Sequence, residues 1–119
     1  MTETWTLDQY RKHQSQTGKS KYNAKITEVD GIKFPSLLEA NYYSKLKVQQ
    51  RVGEVLYFLM QVPFKLPGNI TYRVDFQIFH LDGSVEYVDT KGYLTQVSAN
   101  KIKQVEALYP IKINIVKKA

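Results

Sequence analysis

Asp75, Asp89 and Lys91 are two acids and a base set close together in a strand-rich part of the chain. Asp75 sits inside the strand-like run Val74-Asp75-Phe76, and the other two lie in Val88-Asp89-Thr90-Lys91-Gly92. Residues two apart on a strand share a face, so Asp89 and Lys91 are expected to point the same way. Two carboxylates and an ammonium at one point are the parts of a metal-assisted phosphodiester hydrolase. The acids hold a hard divalent cation and the lysine steadies charge on the attacked phosphate. Thr90 would add its backbone carbonyl, a common ligand of such cations. An Asp-x-Lys triplet alone is a weak pattern, and each aspartate has a plainer reading as a solvent-facing strand residue.

The hairpin between the acids decides whether they meet. A two-residue Asp82-Gly83 turn would set Asp75 against Thr90 and put Asp89 on the opposite face. A three-residue loop, Leu81-Asp82-Gly83 with Gly83 left-handed, would pair His80 with Ser84 and Asp75 with Asp89. Like charges directly across a ladder are destabilising, and a cation between them removes that cost. The Asp-Gly pair fits either register, and the chemistry requires the second.

Glu39 is the fourth candidate and has two readings. Ser36-Leu37-Leu38-Glu39 matches a capping box, in which the glutamate bonds back to the serine amide. Glu39 is also in line with Tyr42, Tyr43 and Leu46 at helical spacing, which aims it at the sheet, where a buried acid needs a partner such as a metal. Gln61, between apolar strand residues, is either a site residue or a strand-end amide. Arg73 shares a face with Asp75, either to contact phosphate or simply as its salt-bridge partner. Lys101, Lys103 and Gln104 fall on the polar side of a helix, an ordinary solvated face unless it borders the site. His13 and His80 are not convincing bases.

These residues need elements to position them. Ile26–Val29 and Ile32–Phe34 flank Asp30-Gly31 as a small hairpin. Pro35 ends it, and Ser36 opens a helix that runs to about Val52 and stops at Gly53. Val55–Met60 and Pro63–Leu66 form an apolar strand region around Gln61. Ile70, Tyr72, Val74, Phe76 and Ile78 alternate with polar residues as a period-two strand, and Val85–Lys91 is its partner. A helix from about Thr95 to Leu108 is expected to turn Val97, Ile102, Val105 and Leu108 inward. Ile111, Ile113 and Ile115 mark a last strand, added in parallel by a crossover. The expected class is α/β (α+β with a mixed sheet), in the order helix, three strands, helix, strand.

At 119 residues the chain is long enough for one modest core, and its 43% hydrophobic and 24% charged residues are those of an ordinary soluble protein. It has no cysteine and two histidines, so disulfides and thiolate zinc sites are excluded and any metal is held mainly by oxygen. The longest apolar run, Val55–Met60, is far too short to span a membrane; it reads as core, or as a dimer surface. With no signal-like leader, the cytoplasm is the default location. The net charge of +6 favours a polyanionic partner. From Tyr10 to Lys25 the chain carries Arg11, Lys12, Lys19, Lys21 and Lys25 and no acid. Residues 1–24 therefore read as a mobile basic arm ahead of a domain at 25–119. The arm is either a solvated tail or a strand that closes on nucleic acid.

With these residues in place, the chain resembles the PD-(D/E)xK nuclease superfamily, and within it small phage and prophage endonucleases of the Holliday-junction-resolvase-like kind. The resemblance covers about Lys21 to Val116. It rests on Lys21-Tyr22-Asn23-Ala24-Lys25, Asp30-Gly31-Ile32-Lys33-Phe34, Glu39-Ala40 with Tyr42-Tyr43, Gln61-Val62-Pro63-Phe64, Tyr72-Arg73-Val74-Asp75-Phe76, Val88-Asp89-Thr90-Lys91-Gly92 and Tyr109-Pro110. It implies a restriction-endonuclease-like core, with Asp75 and Asp89 as metal ligands, Lys91 as the catalytic lysine and Glu39 as the helix acid. Val74 stands where the superfamily has proline, and Leu37-Leu38 replaces a more usual polar pair.

The expectation is a DNA endonuclease that uses Mg²⁺ or Mn²⁺ on Asp75, Asp89 and the Thr90 carbonyl with Glu39 assisting, and that acts on branched DNA. Lys12, Lys19, Lys21, Lys25, Arg73, Lys101 and Lys103 are its candidate phosphate contacts. Cutting both strands of a junction needs two active sites, which suggests a homodimer. The rivals are a non-catalytic nucleic-acid-binding protein that kept the fold, and a small basic assembly protein whose acids pair with Arg73 and the lysines.

Overall fold

The Asp30-Gly31 hairpin forms because both residues take left-handed backbone, φ 53° and 76°, as a two-residue turn matched to strand twist requires. It joins β2 (Thr27–Val29) to β3 (Ile32–Phe34) in a sheet of their own. The computed structural model describes residues 3–7 and 26–119. Lys12, Lys19, Lys21 and Lys25, together with His13, lie outside the described residues.

Ser36 caps α1 (Leu37–Arg51) by accepting the Glu39 amide at 3.1 Å. Then follow β4 (Val55–Leu66), β5 (Ile70–His80), β6 (Val85–Thr90), α2 (Gln96–Leu108, capped by Thr95) and β7 (Ile113–Lys118). The order helix, three strands, helix, strand is the one expected, and β7 runs parallel to β6 as the crossover rule requires. The last strand starts later than its alternation suggests. Parallel pairing begins only where Ile113 meets Tyr87, and the Ile113 amide is held by Glu106 of α2 at 2.9 Å.

A further strand, β1 (Glu3–Trp5), pairs antiparallel with β7, and Leu7 behind it is buried in the core. Residues 3–7 therefore belong to the folded domain and not to an arm. The main sheet is mixed, five-stranded, in the order β1-β7-β6-β5-β4. No helix among the described residues is long and apolar enough to cross a membrane.

Two cores flank this sheet. On the α1 side Phe34, Ala40, Tyr42, Tyr43 and Leu46 pack on Phe76, Ile78, Val88 and Val116. On the α2 side Ala99, Ile102 and Val105 pack on Tyr72, Val74, Ile113 and Ile115. Val97 and Leu108, expected inward, are exposed; the buried stripe of α2 runs through Ala99 instead.

The cores expose a break in β5. Val74 and Phe76 are two apart and should share a face. Yet Val74 belongs to the α2 core and Phe76 to the α1 core, so the strand changes faces across Asp75. Its partner does the same: Met60 packs on the α1 side and Phe64 on the α2 side, and Gln61 between them has φ 55°. The ladder keeps its register through the break, with Met60 opposite Phe76 and Val62 opposite Val74. Gln61 and Asp75 thus form the pivot of the β4–β5 hairpin. The outer residues of β4 are not core: Leu56, Tyr57 and Leu59 are each about half exposed.

Candidate active site

The β5–β6 hairpin has the register that the chemistry required. Gly83 is left-handed, and the His80 amide bonds the Ser84 carbonyl at 2.9 Å. The ladder runs through Phe79 opposite Val85 to Phe76 opposite Val88, so its next step sets Asp75 against Asp89.

The two carboxylates then take different hydrogen-bond partners. Thr90 pairs with Val116 of the α1 core, and Asp75 reaches toward it: Oδ2 accepts the Thr90 amide at 2.9 Å and the Thr90 hydroxyl at 2.8 Å. Asp89 pairs with Ile115 of the α2 core. Its Oδ2 accepts the Tyr72 hydroxyl and its Oδ1 accepts the Asp75 amide at 2.8 Å. Each aspartate thus has its own hydrogen-bond partners, while the charges of Asp75 and Lys91 both act on Asp89. Thr90 also meets Asp75 through its hydroxyl and N–H, a contact the sequence reading did not assign.

Glu39 resolves its two readings. Ser36 caps its amide, but its carboxylate goes to the sheet: Oε2 accepts from Gln61 Nε2 at 3.3 Å. The same nitrogen donates to Asp75 Oδ1 at 3.2 Å. Glu39, Gln61, Asp75 and Thr90 thus form one hydrogen-bonded cluster, drawn from α1, β4, β5 and β6. The three acids are nearly or wholly covered, at 5% exposure for Glu39, 8% for Asp75 and 0% for Asp89. Gln61, above them, is exposed.

Electrostatics follow from that crowding. Burial, and then the charge of Asp75, push Glu39 up to about 7, while Lys91 pulls it down. Burial and Asp75 likewise raise Asp89, again opposed by Lys91. Lys91 is therefore close enough to act on both acids, and its backbone is anchored by the Val116 carbonyl at 3.0 Å. Tyr72 is raised by burial and by the charge of Asp89.

Arg73 is exposed and makes no ion pair with Asp75, so the plain salt-bridge reading of that pair does not hold. Lys101 is half-buried and Lys103 exposed on α2, and no hydrogen bond or ion pair ties either to the carboxylates. His80 pairs with Glu86 at 3.0 Å, away from the cluster. The sequence reading missed Tyr72, which it counted as an apolar strand residue. The signal was present, since a buried tyrosine hydroxyl needs a partner.

The donor chemistry fits a hard divalent cation, which prefers carboxylate and carbonyl oxygen. Glu39 and Asp75 are the pair that share one site. Asp89 stands behind it, and no group of three acid or histidine side chains among the described residues is drawn together as a metal cage.

The fold and site define an α+β protein with a mixed sheet, two long helices among the described residues and a buried carboxylate cluster at a strand pivot. The chain belongs to the family described as Protein of unknown function (DUF1064), whose model matches residues 19–119. No curated protein and no solved structure matches it.

Proposed function

We propose that this protein is a metal-dependent DNA endonuclease on a restriction-endonuclease-like core, acting on branched DNA. One observation carries the reading: two buried carboxylates from different elements, Glu39 and Asp75, converge on a single donor under an exposed residue, with the charge of Lys91 acting on the cluster. Buried acids this close repel one another and call for a cation. Glu39 and Asp75 would hold Mg²⁺ or Mn²⁺, and Asp89 would support Asp75 through its backbone amide. The ion, when bound, makes a water acidic enough to attack phosphorus and offsets phosphate charge. Lys91 faces the developing charge on the phosphate oxygens. Thr90 fixes the orientation of Asp75. Arg73, Lys101, Lys103 and the basic residues Lys12, Lys19, Lys21 and Lys25 supply phosphate contacts, and a homodimer would place two sites on one junction.

The test is cleavage of matched linear, nicked, flapped and four-way DNA with Mn²⁺. Cutting of the four-way substrate that Glu39→Gln and Asp75→Asn both abolish supports the proposal; no cutting of any substrate refutes it.

The full burial of Asp89, with both oxygens engaged, favours a second reading: a nucleic-acid-binding protein that kept this core without the chemistry. It predicts four-way DNA binding with no Mn²⁺ heat in calorimetry.

A further inference from the structure

Gln61 joins the two acids that the proposed site depends on. Its Nε2 carries two N–H donors, and it lies 3.3 Å from Glu39 Oε2 and 3.2 Å from Asp75 Oδ1. A single primary amide therefore bonds both carboxylates at once. The backbone beneath it has φ 55°, which is uncommon for a residue other than glycine. Such conformations persist only where the surroundings impose them, and they cluster at functional sites. Here the hairpin pivot imposes it, and one result is that the amide is aimed inward from an exposed edge strand.

The distances say what the amide does. A small divalent cation binds carboxylate oxygen at about 2.1 Å. The amide contacts are longer by about 1 Å, so an ion in the amide's place would draw both oxygens inward.

We propose that Gln61 is a positioning residue that keeps the metal-free site open: its amide stands between Glu39 and Asp75, and a divalent cation binds only by displacing it. The inference rests on the reading that this site takes a cation, and it adds a residue and an order of events to that reading. In the free protein the amide partly neutralises two buried carboxylates that would otherwise face each other unshielded. In the bound protein the ion takes over that task, and Gln61, being exposed, swings toward solvent. Hydrogen bonds made only in the free state oppose ligand binding by linkage. Removing them must lower the stability of the free protein, leave that of the bound protein unchanged and tighten the ion.

The experiment uses the full chain, with Gln61→Met as the variant of equal length without donors and Gln61→Ala as a second. Mn²⁺ affinity is measured by calorimetry, and thermal unfolding is followed in chelator and in saturating Mn²⁺. The expected result is binding about 5- to 150-fold tighter in both variants, the range that two lost modest hydrogen bonds allow. The variants should melt lower than the wild type in chelator and together with it in Mn²⁺. Equal affinity with equal melting losses in both conditions would make Gln61 a structural residue and overturn the proposal. Weaker binding would also overturn it, by making Gln61 a supporter of the bound state. If neither wild type nor variants bind Mn²⁺, the endonuclease reading fails and takes this inference with it. Binding by the wild type with no gain in the variants fails the inference alone.

Discussion

Asp75 lies beneath the exposed edge of the sheet, where Gln61 and Glu39 share its carboxylate. On the neighbouring strand, Asp89 directs the same side chain into the α2 core, onto the Tyr72 hydroxyl and the Asp75 backbone. Both belong to one hairpin, in the register that opposes them. Between Val74 and Phe76 the strand passes from one core to the other, and the two aspartates take different partners. Register decides which residues are neighbours, while local twist decides which partners each side chain reaches. In the proposed function, Asp75 takes the ligand and Asp89 holds the Asp75 backbone in position.

The largest expected effects break that comparison directly. Asp75→Asn or Glu39→Gln should weaken Mn²⁺ binding by more than about 100-fold, since each removes a direct ligand. Asp89→Asn should cost only about 10-fold, the low end for a group that orients a ligand. Calorimetry on the three variants checks this, and equal losses at Asp75 and Asp89 would erase the distinction.

Next in size is a pH effect in the metal-free protein. Glu39 is raised to about 7 in the folded state, against 4.5 as its ordinary value. Between those values the folded protein holds a proton that the unfolded chain has lost. Stability is therefore fully present at the acid end of the window and falls as pH rises through it, by on the order of 2 kcal/mol. Asp89 is raised as well and adds to the same trend. In chelator the protein should melt higher at pH 5 than at pH 8, and Glu39→Gln should flatten the difference. A higher melting point at pH 8 would show that these acids are not strained by ionising.

Tyr72→Phe sharpens the other half of the comparison. It strips one donor from a wholly buried carboxylate and should destabilise by about 1–3 kcal/mol, measured by urea unfolding at neutral pH. A neutral outcome would mean that Asp89 is not held by this hydroxyl in solution.

The smallest effect concerns the basic residues between Tyr10 and Lys25. Replacing Lys12 and Lys19 by Ala should make log affinity for duplex DNA against log salt shallower by roughly 0.9 per lost contact. Cleavage at saturating DNA should stay the same. Substitution is the right tool because truncating the N-terminus would also remove β1 and Leu7, which are part of the fold. An unchanged slope would make this stretch a solvated tail.

Much of this arrangement was legible in the sequence because local rules govern it. Asp30-Gly31, the Ser36 cap and the parallel return of β7 each follow from turn chemistry, capping or chain crossover, whereas Asp82-Gly83 fits two registers and turn chemistry alone does not choose between them. Glu39 was legible only as an ambiguity, since a capping box and an inward-facing acid share one spacing; Gln61 settles it from a different strand. The pivot was not legible at all. Tyr72, Val74, Phe76 and Ile78 keep perfect alternation through it, and alternation does not reveal which of two cores a residue joins. Nor does the sequence mark Gln61 as left-handed, because it is neither glycine nor asparagine. β1 escaped notice for a simpler reason: three residues are too few to show a period.

The most direct test of the central claim is an anomalous difference map from crystals soaked in Mn²⁺. The account predicts a peak about 2.1 Å from carboxylate oxygens of both Glu39 and Asp75, with Gln61 turned away and Asp89 still bonded to Tyr72. A peak held by Asp75 and Asp89 together with Tyr72 displaced, or no peak at Glu39 and Asp75, would contradict it.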